Sequence, residues 1–165
     1  IDIFFFLTNL VTGSPYGALD GVYKLVWSGG KPRIKISESI TKTTLPHRKQ
    51  VFRIKDNHGK CIGADAIGLY EETHIDTMFH PFENTKKLVL KGFVQEPLLE
   101  TVMENGKMLA AKQSLSKIAE YSKQRLSELP IEYKRFDNPH IYKIGISEAL
   151  RRERDNLILD AKKGL

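Results

Sequence analysis

One cysteine, Cys61, is all that the 165 residues contain. No internal disulfide can form, and a zinc–thiolate site has too few thiolates. Such a chain suits a reducing cytoplasm. Long apolar runs are missing too. The apolar opening, Ile1–Leu7, is too short to span a bilayer, and Asp2 sits where a signal peptide would want a basic flank. No membrane partner is expected. Nor is there a dense Lys/Arg run. The net charge is +6, but the basic residues come as scattered pairs: Arg48-Lys49, Lys86-Lys87, Arg151-Arg152 and Lys162-Lys163. That excess would suit phosphate-bearing partners, yet its scatter reads as solvated surface charge, and nucleic acid is not expected as a partner.

Metal and acid–base signatures are equally thin. The histidines, His47, His58, His74, His80 and His140, form no H-x-x-x-H pair and none is paired with the cysteine. They read as turn and surface imidazoles, and no metal site is assigned. Glu71 and Glu72 are adjacent, so on an extended chain they point opposite ways and make a poor acid–base pair. Asp20 and Asp65, beside Gly and Ala, read as turn formers. Local pattern alone names no catalytic residue.

What the chain does contain is an ordinary globular composition, 41% apolar and 28% charged. That is enough for one domain with a core, or one domain plus a helical appendage. Phe- and Ile-rich residues 1–7 read as a strand, and Gly, Ser and Pro make a loop of 11–17. Further strands are expected at Val22–Trp27, Arg33–Ser37, Gln50–Lys55, Lys60–Leu69 and Lys86–Lys91. Turns are expected at Ser28–Lys31 and Asp56–Gly59. Glu71–Asn84 reads as loop, and Pro97–Met103 as a strand or short helix before a turn at Asn105–Lys107. Ser114 is a natural helix N-cap. Behind it Leu115, Ile118, Ser122, Leu126 and Leu129 make a mostly apolar stripe that Pro130 ends. A loop around Pro139 follows. Ser147 caps a second helix closing in Lys162 and Lys163, with Gly164 as its stop. These patterns predict an α+β fold, a mostly antiparallel sheet with C-terminal helices covering one face.

Three stretches carry a family resemblance: "TNLVTGSPYGALDGVYKLVWSGGKPRIKISESITKTTLPHRKQVFRI", "MFHPFENTKKLVLKGFVQEPLLETVMENGKM" and "IEYKRFDNPHIYKIGISEALRRERDNLI". In order and spacing they resemble the C-terminal portion of nicotinate phosphoribosyltransferase, over essentially the whole chain. The resemblance implies the end of an irregular α/β barrel and the adjoining β domain, which the family assembles from both chain ends. Residues 1–27 would be the last barrel strands and a phosphate turn, 28–112 a β-rich domain, and 113–165 a C-terminal helical extension. It implies an enzyme of NAD biosynthesis that joins nicotinate to phosphoribosyl pyrophosphate, with ATP and Mg2+ as cofactors. It implies a cytoplasmic homodimer whose active site a partner subunit completes.

Carried over residue by residue, the family's phosphate turn, Phe-Gly-Val/Ile-Gly-Thr, falls on Phe4, Phe5, Phe6, Leu7 and Thr8. Thr8 would contact a phosphate. Phe5 and Leu7 replace both glycines, and their side chains crowd a turn whose bare backbone N–H groups should approach the phosphate. The family also has Gly where His47 stands and Asp-Pro where Ser39-Ile40 stand. Its phosphorylated histidine and its nicotinate-binding residues fall upstream. With Ile and not Met at position 1, the chain is expected to be the tail of a larger enzyme, inactive alone. The alternative is a basic binding or docking module without catalysis, meeting nucleic acid or a separately encoded barrel.

Overall fold

The computed structural model describes residues 21–39, 42–83 and 85–163. The expected strand 1–7, Thr8, the loop 11–17, Asp20 and the stop at Gly164 lie outside the described residues. The architecture is α+β, with a mostly antiparallel sheet, as the sequence pattern predicts.

The described chain begins with a short ribbon. Strands β1 (Trp27–Ser28) and β2 (Lys31–Pro32) pair around Gly29-Gly30. Both glycines have positive φ, +59° and +71°, which a tight hairpin turn of this twist requires. The strands expected at Val22–Trp27 and Arg33–Ser37 are not formed: beyond the two pairs of the ribbon the chain has no regular structure. Two strands with no third strand and no packed face do not extend.

The main sheet has six strands, in the spatial order Lys87–Val89, Thr77–Phe79, Lys143–Ser147, Cys61–Leu69, Lys49–Lys55 and Val94–Pro97. Its longest ladder is the hairpin of β3 (Lys49–Lys55) and β4 (Cys61–Leu69). Asp56 closes the turn, its Oδ1 accepting from the backbone N–H groups of His58 and Lys60, both at 2.9 Å. Strand β7 (Val94–Pro97) lies along the outer side of β3, so the ladder precedes most of the expected Pro97–Met103 stretch. Strand β6 (Lys87–Val89) falls within the expected span and pairs with β5 (Thr77–Phe79), a strand inside the stretch read as loop. Strand β10 (Lys143–Ser147) falls in the loop expected before the last helix. It runs parallel to β4 on one side and antiparallel to β5 on the other. A strand this short is stabilised by two neighbours far away in sequence, which local pattern does not reveal. The sheet thus joins residues on both sides of position 112.

Alternation puts Phe52 and Ile54 of β3 and Ala64 and Ala66 of β4 on one buried face. Ile75, Met78 and Leu90 complete that cluster, with Phe93 packed against it. Helix α2 (Glu148–Lys163) buries Leu150 and Arg154 and packs on β4, β5 and β10. Ser147 caps it as expected, its Oγ accepting from Leu150 N–H at 3.1 Å.

Helix α1 (Leu115–Ser127) starts where Ser114 predicts, the Ser114 Oγ accepting from Lys117 N–H. It does not cover the sheet, however: no residue of α1 is buried, and Leu115, Ile118 and Leu126 of its apolar stripe are exposed. The small hairpin of β8 (Met103–Glu104) and β9 (Lys107–Met108), turning at Asn105-Gly106, is exposed too. Charge holds α1 in place. Arg125 grips Glu96 of β7 with two bonds, 3.0 and 2.9 Å, and Lys55 of β3 reaches Glu96 at 2.8 Å and Glu128 at 3.3 Å. The bonds from Arg125, opposed by burial and then helped by the Lys55 bond, bring the Glu96 carboxyl down to about 2. No helix among the described residues is long and apolar enough to cross a membrane.

Candidate functional site

The most concentrated polar chemistry lies on the β3–β4 hairpin. Arg53 and Asp65 face each other across the ladder. Arg53 donates from Nε to Oδ1 at 3.2 Å and from Nη2 to Oδ2 at 3.3 Å. Such a fork is the strongest way to join the two groups. Tyr142, just before β10, donates its hydroxyl to Asp65 Oδ1 at 2.8 Å and lies 3.5 Å from Cys61 Sγ. Hydrogen bonding to Asp65 raises the Arg53 guanidinium further above its ordinary range, against burial. Burial first, then bonding to Cys61 and Asp65, pushes the Tyr142 phenol well above its ordinary value. The cluster therefore stays Arg+, Tyr–OH at any physiological pH. It is a clamp, in which neither Arg53 nor Tyr142 is poised to exchange a proton near neutrality.

Asp65 is thus a strand residue bound to arginine, not the turn former that its small neighbours suggested. Beside it the register shifts between Arg53 and Lys55, and Gly63 has φ +73°, the backbone of a bulge. Tyr133 lies over that glycine and donates its hydroxyl to Ile62 O at 3.3 Å. Tyr133 also packs edge-on against His140 and Tyr142, at 5.7 and 5.8 Å between centroids.

Glu72 has a comparable structural task. One of its oxygens, Oε2, accepts from Leu69 N–H and from the Ser147 hydroxyl, both at 2.6 Å. Glu71 does not share it, as their spacing predicts. His47 stands in a loop with φ +70°, a conformation that favours glycine. Its Nε2 lies 3.1 Å from Glu153 of α2, and its ring 5.5 Å from that of Trp27. His47 is therefore a linker between loop and helix, not a surface imidazole. Lys49 secures the same loop, its Nζ donating to the carbonyls of Leu45, Pro46 and His47 at 2.9, 3.1 and 2.6 Å. Burial lowers its ammonium below the ordinary lysine value. The other histidines are turn or surface groups: His58 in the β3–β4 turn, His74 near Asp76, His80 in the β5–β6 turn and His140 against Tyr133.

One concave feature stands out, an open groove of about 780 Å³ between the β5–β6 turn and the start of β10. Phe82, Leu88, Ile141 and Ile144 give it apolar walls, and Lys86, Lys87 and Lys143 stand along it. Among the described residues no three His, Cys, Asp or Glu side chains gather as a metal site. Thr8, the residue expected to touch phosphate, lies outside the described residues, and Val22–Leu25, expected as the last barrel strand, are exposed and without regular structure. The Arg53–Asp65 pair was missed because its signal is two-dimensional: opposite charges meet only once the hairpin register is drawn.

Comparison with known proteins gives one consistent result. Residues 48–154 match the family model described as the nicotinate phosphoribosyltransferase C-terminal domain. The chain is similar to a nicotinate phosphoribosyltransferase of Dictyostelium discoideum, 33% identical over 98% of this chain and 29% of the relative. It is also similar to one from Bacillus subtilis (strain 168), 35% identical over 90% of this chain and 32% of the relative. The crystal structure of human nicotinic acid phosphoribosyltransferase superposes with a TM-score of 0.70 at 28% identity, over 86% of this chain and 27% of that one. The chain therefore spans less than a third of the length of these relatives.

Proposed function

The chain belongs to the nicotinate phosphoribosyltransferase family, and we propose that it works as the C-terminal part of an enzyme joining nicotinate to phosphoribosyl pyrophosphate. The product would be nicotinate mononucleotide, the setting NAD biosynthesis in the cytoplasm, and the working unit a homodimer using ATP and Mg2+. The observation that carries this reading is the family match over 48–154, which spans every strand of the six-stranded sheet.

The role proposed for the described residues is scaffolding. The Arg53–Asp65–Tyr142 clamp and the Glu72–Ser147 contact lock the sheet and α2 into one body, and a rigid body is what positions catalytic groups carried elsewhere. Thr8 is proposed to touch a phosphate of substrate or product, with Phe5 and Leu7 crowding that contact. The 165 residues alone are proposed to be inactive, since by resemblance the family's phosphorylated histidine and nicotinate-binding residues fall upstream of them.

An assay for nicotinate mononucleotide tests this. The chain is incubated with nicotinate, phosphoribosyl pyrophosphate and magnesium ATP, alone and mixed with the upstream remainder of the Bacillus subtilis relative. The expected result is no product alone, and co-purification with product on mixing. Turnover by the chain alone would overturn its proposed inactivity. Failure both to associate with the remainder and to restore product would count against the scaffolding role.

A further inference from the structure

The Asn105-Gly106 turn closes a hairpin that little else holds. Strands β8 and β9 share two residue pairs, Met103 with Met108 and Glu104 with Lys107, and all four residues are exposed. Bonds from the Leu109 and Ala110 N–H groups to Val102 O, at 2.9 and 3.4 Å, continue the pairing. So short a ribbon, with no packed face, opens readily. Within the turn, neither the Gly106 N–H nor the Asn105 side-chain amide forms a hydrogen bond among the described residues. Space around the glycine is open: a Cβ added there would meet nothing within 4 Å. The other asparagines among the described residues differ at one atom, the nitrogen of the next residue. After Asn57, the His58 N–H is held by Asp56 Oδ1 at 2.9 Å. After Asn138 comes Pro139, which has no N–H. Asn156 lies inside α2, where the Leu157 N–H belongs to the helix ladder.

We propose that Asn105 is a self-modification site, at which the chain converts its own asparagine to isoaspartate and so dismantles the β8–β9 hairpin. When the hairpin opens, hydroxide takes the Gly106 amide proton and the nitrogen attacks Asn105 Cγ. The N–Cγ bond forms, the Cγ–Nδ2 bond breaks, and the side-chain nitrogen leaves as ammonia, taking a proton from water and regenerating hydroxide. Water then opens the cyclic imide. Attack at Cγ gives aspartate. Attack at the main-chain carbonyl carbon gives isoaspartate, in which the main chain runs through Cγ. Nothing is oxidised or reduced, and water is the one co-reactant. Gly106 favours the attack because it puts no side chain beside the nitrogen. Isoaspartate adds a methylene group to the main chain and a carboxylate beside Glu104. A two-residue turn, with φ of +49° at Asn105 and +76° at Gly106, has no slack for the longer backbone. Both residue pairs are then lost. This inference stands on the turn and holds whatever reaction the family performs.

The test incubates the 15N-labelled chain at mildly alkaline pH, then digests it with trypsin beside an unincubated sample. The tryptic peptide 92–107 holds Asn105 as its single asparagine. Mass spectrometry is expected to show that peptide exchanging ammonia for water, at a rate proportional to hydroxide. Its aspartyl and isoaspartyl forms should separate on chromatography, the isoaspartyl form dominant. Peptides carrying Asn57, Asn138 and Asn156 should be unchanged at that time. In the converted chain, the amide resonances of Met103, Lys107 and Met108 should move to unstructured positions while those of β3 and β4 stay. Freshly prepared Asn105→Asp adds the charge without the methylene and should keep the hairpin. The proposal is overturned if Asn105 survives as long as Asn57, Asn138 or Asn156, or if the converted chain keeps its hairpin resonances. Loss of the hairpin in Asn105→Asp would also overturn it, since charge alone would then suffice.

Discussion

The ring of Tyr133 lies directly on the bare backbone of Gly63, where an added Cβ would stand 2.0 Å from Tyr133 Cζ. No side chain fits that space, and the φ of +73° is itself disfavoured for one. Gly63→Ala is therefore expected to cost about 2–4 kcal/mol, from overpacking and backbone strain together. Urea unfolding measures it. Adding Tyr133→Ala should return part of the loss, and strictly additive effects would show that the ring is not the cause.

Ser147 ends β10 and caps α2 with one hydroxyl, donating to Glu72 and accepting from Leu150 N–H. Ser147→Ala removes both bonds at a buried position. Its expected cost is about 1–3 kcal/mol, read from the urea midpoint, with α2 amides exchanging faster than those of β3.

The ion pairs of Glu96 carry a pH signature. Its carboxyl is lower folded than unfolded, shifted from 4.5 to about 2. Its contribution is thus full above the ordinary glutamate value and lost as pH falls toward 2. Wild type should be more stable than Glu96→Gln at pH 6, and the difference should close between about pH 4.5 and pH 2. Thermal unfolding across that range checks it; a constant gap would mean that Glu96 acts through packing.

His47 adopts a glycine-like φ of +70° at the position where the resemblance puts glycine. His47→Gly relieves backbone strain but gives up the Glu153 contact and the Trp27 ring. The two effects are opposite and similar, so stability should stay within about 1 kcal/mol of wild type. His47→Val, β-branched in the same conformation, should lose about 2 kcal/mol. Thermal melts of both variants separate backbone from side-chain effects.

Much of this fold is legible from short-range pattern. The β3–β4 hairpin shows alternation and a turn at Asp56–Gly59, and both helix starts show a serine cap. What could not be read depends on distant partners. Lys143–Ser147 carries a glycine and only two strong β-formers, yet it is central because β4 and β5 flank it. Thr77–Phe79 sits among histidines and a proline, and pairing alone makes it a strand. The apolar stripe of α1 predicts the helix that forms, but not its exposure. Periodicity shows that a face exists, not that anything covers it. Asp65 next to two alanines looked local, while its partner lies twelve residues back across the hairpin.

The seating of β10 between β4 and β5 has a consequence on the ribosome. The middle of the sheet is vacant until residues 143–147 emerge. Until then the nascent β3–β4 hairpin and the β5–β6 pair have no common neighbour to join them, and each presents an unmatched flank to the cell. Closure waits on residues 143–147, so the two halves of the sheet are joined only after both have been made.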